Sequence, residues 1–223
     1  NMPKKNNLDI KFNARNLKND DDLKFFVKNG FVIYKNIFER KIIDSVKNNI
    51  LGSFKNLSHD YKKKKIDLIS WKWSKAISIN HERSLSADKF YKSKYLIEVV
   101  QRYLGPDICV MGNACIYIVD PKIKKYTTSL GVHSDVWSGN SIDSIHFNTF
   151  LTNSDKNNSL TFYPSSHLLG LLPVKNRKLD DQNFDLDIKP YTLNNINYSD
   201  VVIFHPLLLH STSEKKENKK LRV

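Results

Sequence analysis

His133 and Asp135 stand two residues apart in the segment Gly131-Val132-His133-Ser134-Asp135. On an extended backbone, residues i and i+2 project to the same side, so one imidazole and one carboxylate can reach a common cation. The pattern alone is weak, because a surface turn closed by an Asx-type hydrogen bond uses the same residue types. Its weight comes from the far end of the chain, where the apolar run Val201-Val202-Ile203-Phe204 leads through His205-Pro206 to His210, and Arg222 follows. Two imidazoles and a carboxylate on one face of a first-row metal leave three adjacent positions open. Fe(II) can then hold a chelating co-substrate and O2 side by side. An arginine beyond the second histidine can meet a distal carboxylate of that co-substrate in bidentate geometry, which lysine does less well. The plainer readings are a strand-end His210 satisfied by backbone, and an Arg222 solvated among Lys216, Lys219 and Lys220.

The elements that must position these residues change character at Gly105-Pro106, a strong helix stop. Upstream, Asp20, Asp21 and Asp22 open a short helix carrying Leu23, Phe25, Phe26 and Val27, which Asn29-Gly30 ends. Residues 31–34 are a compact apolar run that predicts a strand, and residues 39–54 take up helical spacing through Ile42, Ile43, Val46 and Ile50. Periodicity fails over residues 56–83. That stretch holds Lys62 to Lys65, Trp71 and Trp73, and it predicts a long surface excursion. Helical spacing resumes over residues 87–104. Beyond the stop, residues 108–119, 145–151, 160–163 and 201–204 predict short strands with no long helix between them. Such an order implies an antiparallel sandwich or barrel with the earlier helices packed on one side.

At 223 residues the chain has the length of one domain, and its 40% hydrophobic and 11% aromatic content is enough to bury a core and exclude wholesale disorder. No run approaches the roughly 18 apolar residues of a membrane span, and the polar, basic first residues contain no apolar signal region. A soluble cytoplasmic protein is expected. Cys109 and Cys115 share one extended run about 20 Å apart, too far for a disulfide. The net charge of +13 favours anionic partners, although a chain rich in Lys, Asn and Ile also acquires charge from A/T-rich codons. The Lys62 to Lys65 run fits a solvated face better than a docking site.

His133-x-Asp135, His210 and Arg222 together resemble the pattern of Fe(II)/2-oxoglutarate-dependent dioxygenases, and more closely their phytanoyl-CoA dioxygenase-like branch. The likeness extends to three further segments. Phe26-Val27-Lys28-Asn29-Gly30-Phe31-Val32-Ile33 resembles the branch's opening helix and strand, Phe162-Tyr163-Pro164-Ser165-Ser166-His167 its Pro-Gly-Ser-His turn, and residues 200–210 its Gly-Asp-Val-x-x-Phe strand leading to histidine. Within the branch, Val132-His133-Ser134-Asp135-Val136-Trp137-Ser138-Gly139-Asn140-Ser141 is most similar to bacterial oxygenases encoded in sporadically distributed surface-carbohydrate gene clusters. Two departures stand out. Ser165 replaces the usual glycine, and the chain stops at Val223 where the family's closing strand normally continues, so a short, truncated or uncovered last strand is expected.

The resemblance implies a mainly β fold, a double-stranded β-helix or jelly roll with an N-terminal helical layer, in a single domain over 1–223. The helical layer, with one strand and the long loop, would occupy 20–105, and the jelly-roll catalytic core 106–223. It implies Fe(II) on His133, Asp135 and His210, with 2-oxoglutarate as co-substrate and Arg222 on its C5 carboxylate. A hydroxyl or amide from Thr212, Ser211, Tyr117 or Asn113 is expected to help hold that co-substrate. Asn113 and Tyr117, four apart on an extended run, would share a face, where core packing is the other use for Tyr117. Succinate and CO2 leave as an unactivated C–H bond is hydroxylated. The carboxylate at Asp135 favours hydroxylation over halogenation, for which relatives keep a small residue and space for halide.

The substrate expected is a small molecule, an anionic sugar derivative. Trp137 can wall its pocket or close the core, His146 shares a period-2 pattern with Asn148 and can line the pocket, and Trp71 and Trp73 can form a lid or anchor the loop. His205, opposite in strand parity to His210, and His167, in the Pro-Ser-Ser-His turn, fit packing roles. Two rivals stand beside this reading. A nucleic-acid demethylase using the same cofactors would explain the charge but lacks a base-flipping element. A non-catalytic jelly-roll carbohydrate-binding module would leave the simultaneous His-x-Asp, distal His and Arg without a purpose.

Overall fold

Two runs, Phe31-Val32-Ile33-Tyr34 and Val201-Val202-Ile203-Phe204, are buried on both faces, and the architecture follows from what covers each side. The computed structural model describes residues 8–64, 71–111, 115–117, 131–156, 159–175, 178–180 and 186–212. Their elements are, in chain order, β1 (Lys11–Asn13), α1 (Asp21–Asn29), β2 (Phe31–Lys35), α2 (Arg40–Lys64), α3 (Trp71–Glu82), α4 (Leu85–Tyr91) and α5 (Lys94–Leu104). Then come β3 (His146–Thr149), β4 (Leu160–Phe162), β5 (Val174–Lys175), β6 (Lys178–Leu179), β7 (Tyr191–Thr192), β8 (Val201–Phe204) and β9 (His210–Thr212). One sheet has the order β1-β2-β8-β3, a second has β7-β4-β9, and β5 pairs with β6.

Strand parity sorts the apolar side chains into two cores. In β2 and β8 the cross-strand pairs Val32 with Ile203 and Tyr34 with Val201 face the helices, joining Ile43, Val46, Ile50, Phe90 and Val99. The alternate pairs, Phe31 with Phe204 and Ile33 with Val202, face the second sheet and meet Leu160, Phe162, Leu193 and Leu208. The first sheet therefore lies between a helical layer and the second sheet. β3 obeys the same register: Phe147 pairs with Ile203 on the helix side, and His146 pairs with Phe204 on the inter-sheet side. In β9, His210 pairs with Phe162 and Thr212 with Leu160, so both belong to that same inner face.

The entry to β2 is a tight corner. α1 carries Asp21 and Asp22 in its first turn and Lys28 in its last, matching the helix dipole, and ends at Gly30 with φ +81°. A Cβ there would also lie 2.5 Å from His167 Nδ1 and 2.7 Å from Leu208 Cδ1, so only glycine fits.

Three expectations are corrected. The region read as an excursion over residues 56–83 is helical in its described parts: α2 continues to Lys64, and α3 begins at Trp71. Lysine is a good helix former, so a lysine-rich stretch continues a helix without an apolar period to announce it. The single helix of residues 87–104 is two helices. Ser84 caps α4 by accepting from Ala87 N, Lys92 ends it, and Ser93 begins α5 with its hydroxyl donating to Ile37 O. Residues 108–111 and 115–117, the described parts of the run read as a strand over 108–119, take no strand conformation, and Val110 and Met111 are exposed; strand propensity alone does not make a strand. The described residues are accordingly mixed α/β rather than mainly β, with five helices and strands of two to five residues. Cys109 and Cys115 are both exposed free thiols.

Candidate metal centre

His133 and His210 are joined before their side chains are considered. The amide of His133 donates to His210 O and the amide of His210 to His133 O, both at 2.9 Å, an antiparallel pair that sets the two imidazoles side by side with ring centroids 4.2 Å apart. The next residues are fixed on the same partner segment. Ser134 Oγ donates to Pro206 O at 2.8 Å and Asp135 N donates to it at 3.1 Å. The chain then turns through one 3-10 turn, Asp135–Ser138, which Gly139 ends at φ +90°, and Asn140 Nδ2 donates back to Asp135 O.

The imidazole hydrogen bonds determine which nitrogen of each ring is available. His133 Nδ1 donates to Gly131 O at 2.8 Å, and His210 Nδ1 donates to Leu208 O at 3.0 Å. Both Nε2 atoms are left with their lone pairs free, and both lie 3.8 Å from the same oxygen, Asp135 Oδ1. The three donor atoms lie within 4.8 Å of one another. The other carboxylate oxygen, Oδ2, accepts a 2.5 Å hydrogen bond from His146 Nδ1. Two imidazole nitrogens and one carboxylate oxygen facing a common point form a donor set suited to Fe(II).

The charges agree with this. Burial pushes His210 down to about 4 despite the nearby Asp135 carboxylate, so its ring is neutral at neutral pH, the form a metal requires. Burial would raise Asp135, but the His146 hydrogen bond and the surrounding imidazoles outweigh it and hold the carboxyl below its ordinary range. Phe162 and Phe204 close the inner side against His210, with centroids 6.1 Å and 5.0 Å from its ring.

The other residues singled out in the sequence are placed less uniformly. Thr212 is two residues beyond His210 on the same face of β9, whereas Ser211 faces the opposite way, paired with Thr161. Tyr117 is half-buried outside any strand. Trp137 sits half-buried on the turn that begins at Asp135. Arg222, Asn113 and the side chains of Trp71 and Trp73 lie outside the described residues. His167 donates from Nε2 to Val27 O, and His205 Nδ1 accepts from Leu207 N, packing roles in both cases. Asn140 and Phe204 were not singled out in the sequence. Ser138-Gly139-Asn140 has the composition of a turn, a signal that could have found Asn140, but nothing in a run of four apolar residues marks the last as the one that touches two histidines.

The shape places the chain among known folds. A non-heme monooxygenase, ThoJ, shares 17% sequence identity at a TM-score of 0.65 over 91% of this chain and 74% of that one. The epimerase SnoN, solved in complex with Fe3+, alpha ketoglutarate and nogalamycin RO, shares 12% identity at a TM-score of 0.62, covering 90% of this chain and 79% of its own. The alpha ketoglutarate-dependent carbocyclase SnoK of nogalamycin biosynthesis shares 14% at 0.56, covering 94% and 82%. No curated protein matches the chain. At such identities likeness in shape establishes the fold, here a double-stranded β-helix with added helices, and the sequence itself carries the rest. Residues 26–222 match the family model of the phytanoyl-CoA dioxygenases, and the chain belongs to that family (PhyH), whose members are Fe(II)- and 2-oxoglutarate-dependent oxygenases.

Proposed function

We propose that the chain hydroxylates a small, anionic, carbohydrate-related substrate in the cytoplasm, with His133, Asp135 and His210 as the iron ligands and Arg222 and Thr212 holding 2-oxoglutarate. The observation that carries the metal assignment is the convergence of the His133 and His210 Nε2 atoms on Asp135 Oδ1. When bound, Fe(II) with 2-oxoglutarate and O2 supplies the oxidation that converts a substrate C–H to C–OH and releases succinate and CO2. His133 and His210 turn Nε2 toward the site because their Nδ1 hydrogens are committed to the Gly131 and Leu208 carbonyls. Asp135 supplies the single negative charge, and Phe162 and Phe204 keep water from the inner side of His210. Thr212, on the inner face of β9, is better placed for the co-substrate than Ser211. Arg222 is the guanidinium suited to the distal carboxylate, with Asn113 and Tyr117 as further candidates. The jelly-roll core over 106–223, in one domain with the helical layer, carries this machinery.

The substrate class rests on the +13 net charge, which attracts a phosphate or carboxylate handle, and on the similarity of residues 132–141 to carbohydrate-cluster oxygenases. Trp137, Trp71 and Trp73 are the rings on which a sugar can stack. Among the described residues, no helix is long and apolar enough to cross a membrane. Anaerobic addition of Fe(II) and 2-oxoglutarate should give a metal-to-ligand charge-transfer band that His133→Ala and His210→Ala abolish. Arg222→Ala should weaken 2-oxoglutarate binding more than iron binding. Succinate release stimulated by nucleotide sugars or lipid-linked glycans would support the substrate class, and stimulation only by neutral substrates or by methylated nucleic acid would overturn it.

A further inference from the structure

We infer that His146 is a positioning residue that keeps Asp135 a one-oxygen ligand and so preserves the open half of the metal's coordination sphere. The inference rests on the assignment of His133, Asp135 and His210 as ligands. Its starting point is that the two oxygens of Asp135 face different partners. Oδ1 lies 3.8 Å from both His133 Nε2 and His210 Nε2, while Oδ2 lies 2.5 Å from His146 Nδ1. An ionised carboxylate only accepts, so His146 donates from Nδ1.

The backbone of Asp135 is already fixed at both ends, by its amide on Pro206 O and its carbonyl on Asn140 Nδ2. What is left free is rotation of the carboxylate, and that is what His146 restrains. A carboxylate that rotates can chelate a cation through both oxygens. With two imidazoles it would then occupy four of six positions, leaving two, whereas a chelating 2-oxo acid and O2 need three. Committing Oδ2 to a hydrogen bond keeps the third position open.

His146 is itself held by structure that serves the site. The β3–β8 register puts it opposite Phe204, whose ring it meets at 5.5 Å and 64°. The same Phe204 ring lies 5.0 Å from His210. One buried aromatic ring therefore spaces the imidazole that ligates from the one that restrains the carboxylate, and Asp135 lies between them.

The test is titration with Co(II) alone, followed by its visible absorption, on wild type, His133→Ala, His146→Leu, His146→Asn and His146→Gln. The amide nitrogen of asparagine falls near the place of Nδ1, and that of glutamine does not. His146→Leu and His146→Gln should change the Co(II) absorption spectrum, as the second Asp135 oxygen enters the coordination sphere, and should alter Co(II) affinity by about 10–100-fold, the range for loss of a group that orients a ligand. His146→Asn should restore both. Should His146→Leu fail to fold, the contrast between the Asn and Gln variants still decides. Wild-type affinity and spectrum in His146→Leu, or equal behaviour of the Asn and Gln variants, would overturn the positioning role while leaving the triad intact. A wild-type protein that binds no Co(II), or a His133→Ala variant that binds it as well, would overturn the triad and this inference with it.

Discussion

Burial and proton chemistry act together on His210, 6% exposed between Phe162 and Phe204. Its imidazole is held at about 4 in the folded chain against an ordinary 6.5. As pH falls below 6.5 the unfolded chain takes up this proton first, so the metal-free protein should lose stability until the folded pKa is reached. At pH 5 the loss from this group is about 2 kcal/mol. Urea unfolding at pH 7 and pH 5 should show a smaller difference in His210→Leu than in wild type; equal differences would show that His210 titrates normally. A second residue-scale prediction concerns Ser165 and Ser199, both in left-handed conformation at φ +69° and +76°. Ser165 stands where the resembling motif has glycine. Ser165 Oγ donates to Lys28 O and Ser165 N to Asn29 O, tying the turn to α1. Ser199 has only its amide on Phe150 O among the described residues. Ser199→Gly should therefore raise stability by about 0.5 kcal/mol in thermal unfolding, and Ser165→Gly should not. At this scale the sequence was most informative: the spacing of His133 and Asp135 was legible because an extended dipeptide repeat fixes which side chains share a side. The link from His146 to Asp135 was not legible, because it depends on the register of β3 against β8.

Among the elements, α1, α5 and β2 are clamped by one polar cluster. Arg102 of α5 donates to both oxygens of Asp22, from Nη2 at 2.8 Å and Nε at 3.1 Å, and Tyr34 OH donates to Asp22 Oδ2 at 2.5 Å. Tyr103 OH meets Tyr34 OH at 2.6 Å. Asp22 is 1% exposed, so removing the arginine strands a charge in the core. Arg102→Leu should cost about 3–5 kcal/mol, and the double variant Asp22→Leu with Arg102→Leu should cost clearly less than the sum of the two singles. Chemical denaturation of the four proteins checks this, and additivity would mean that the two groups act independently. Asp20 to Asp22 were legible as a helix opening, but an N-terminal acidic signal does not show that one of its members points inward. β2 and β8 were legible because a strand covered on both faces is apolar at every position. β1 was not, because Lys11-Phe12-Asn13 is polar and is held by pairing with β2 and by Lys11 Nζ on Asp200 at 2.7 Å. β5, β6 and β7, at two residues each, are too short for any period to register.

Across the whole molecule, the candidate site bridges two sheets: His146 comes from the edge of one, His210 from the edge of the other, and Asp135 from the connection between them. A metal bound there fastens the sheets to each other and is absent from the unfolded chain. Co(II) at a free concentration 100 times its dissociation constant should stabilise the fold by about 2.7 kcal/mol. The midpoint of thermal unfolding should rise with metal in wild type and stay constant in His210→Ala; a rise in both would place the metal elsewhere. The reciprocal backbone pair of His133 and His210 also gives the site a position in time. During synthesis His133 and Asp135 leave the ribosome well before His210, and until β9 zips against β4 they offer a cation two ligands at most. Binding of a cation by all three ligands therefore waits until β9 pairs with β4. The same pairing sets Phe162 against His210, so the site gains its second imidazole and its apolar wall in one step.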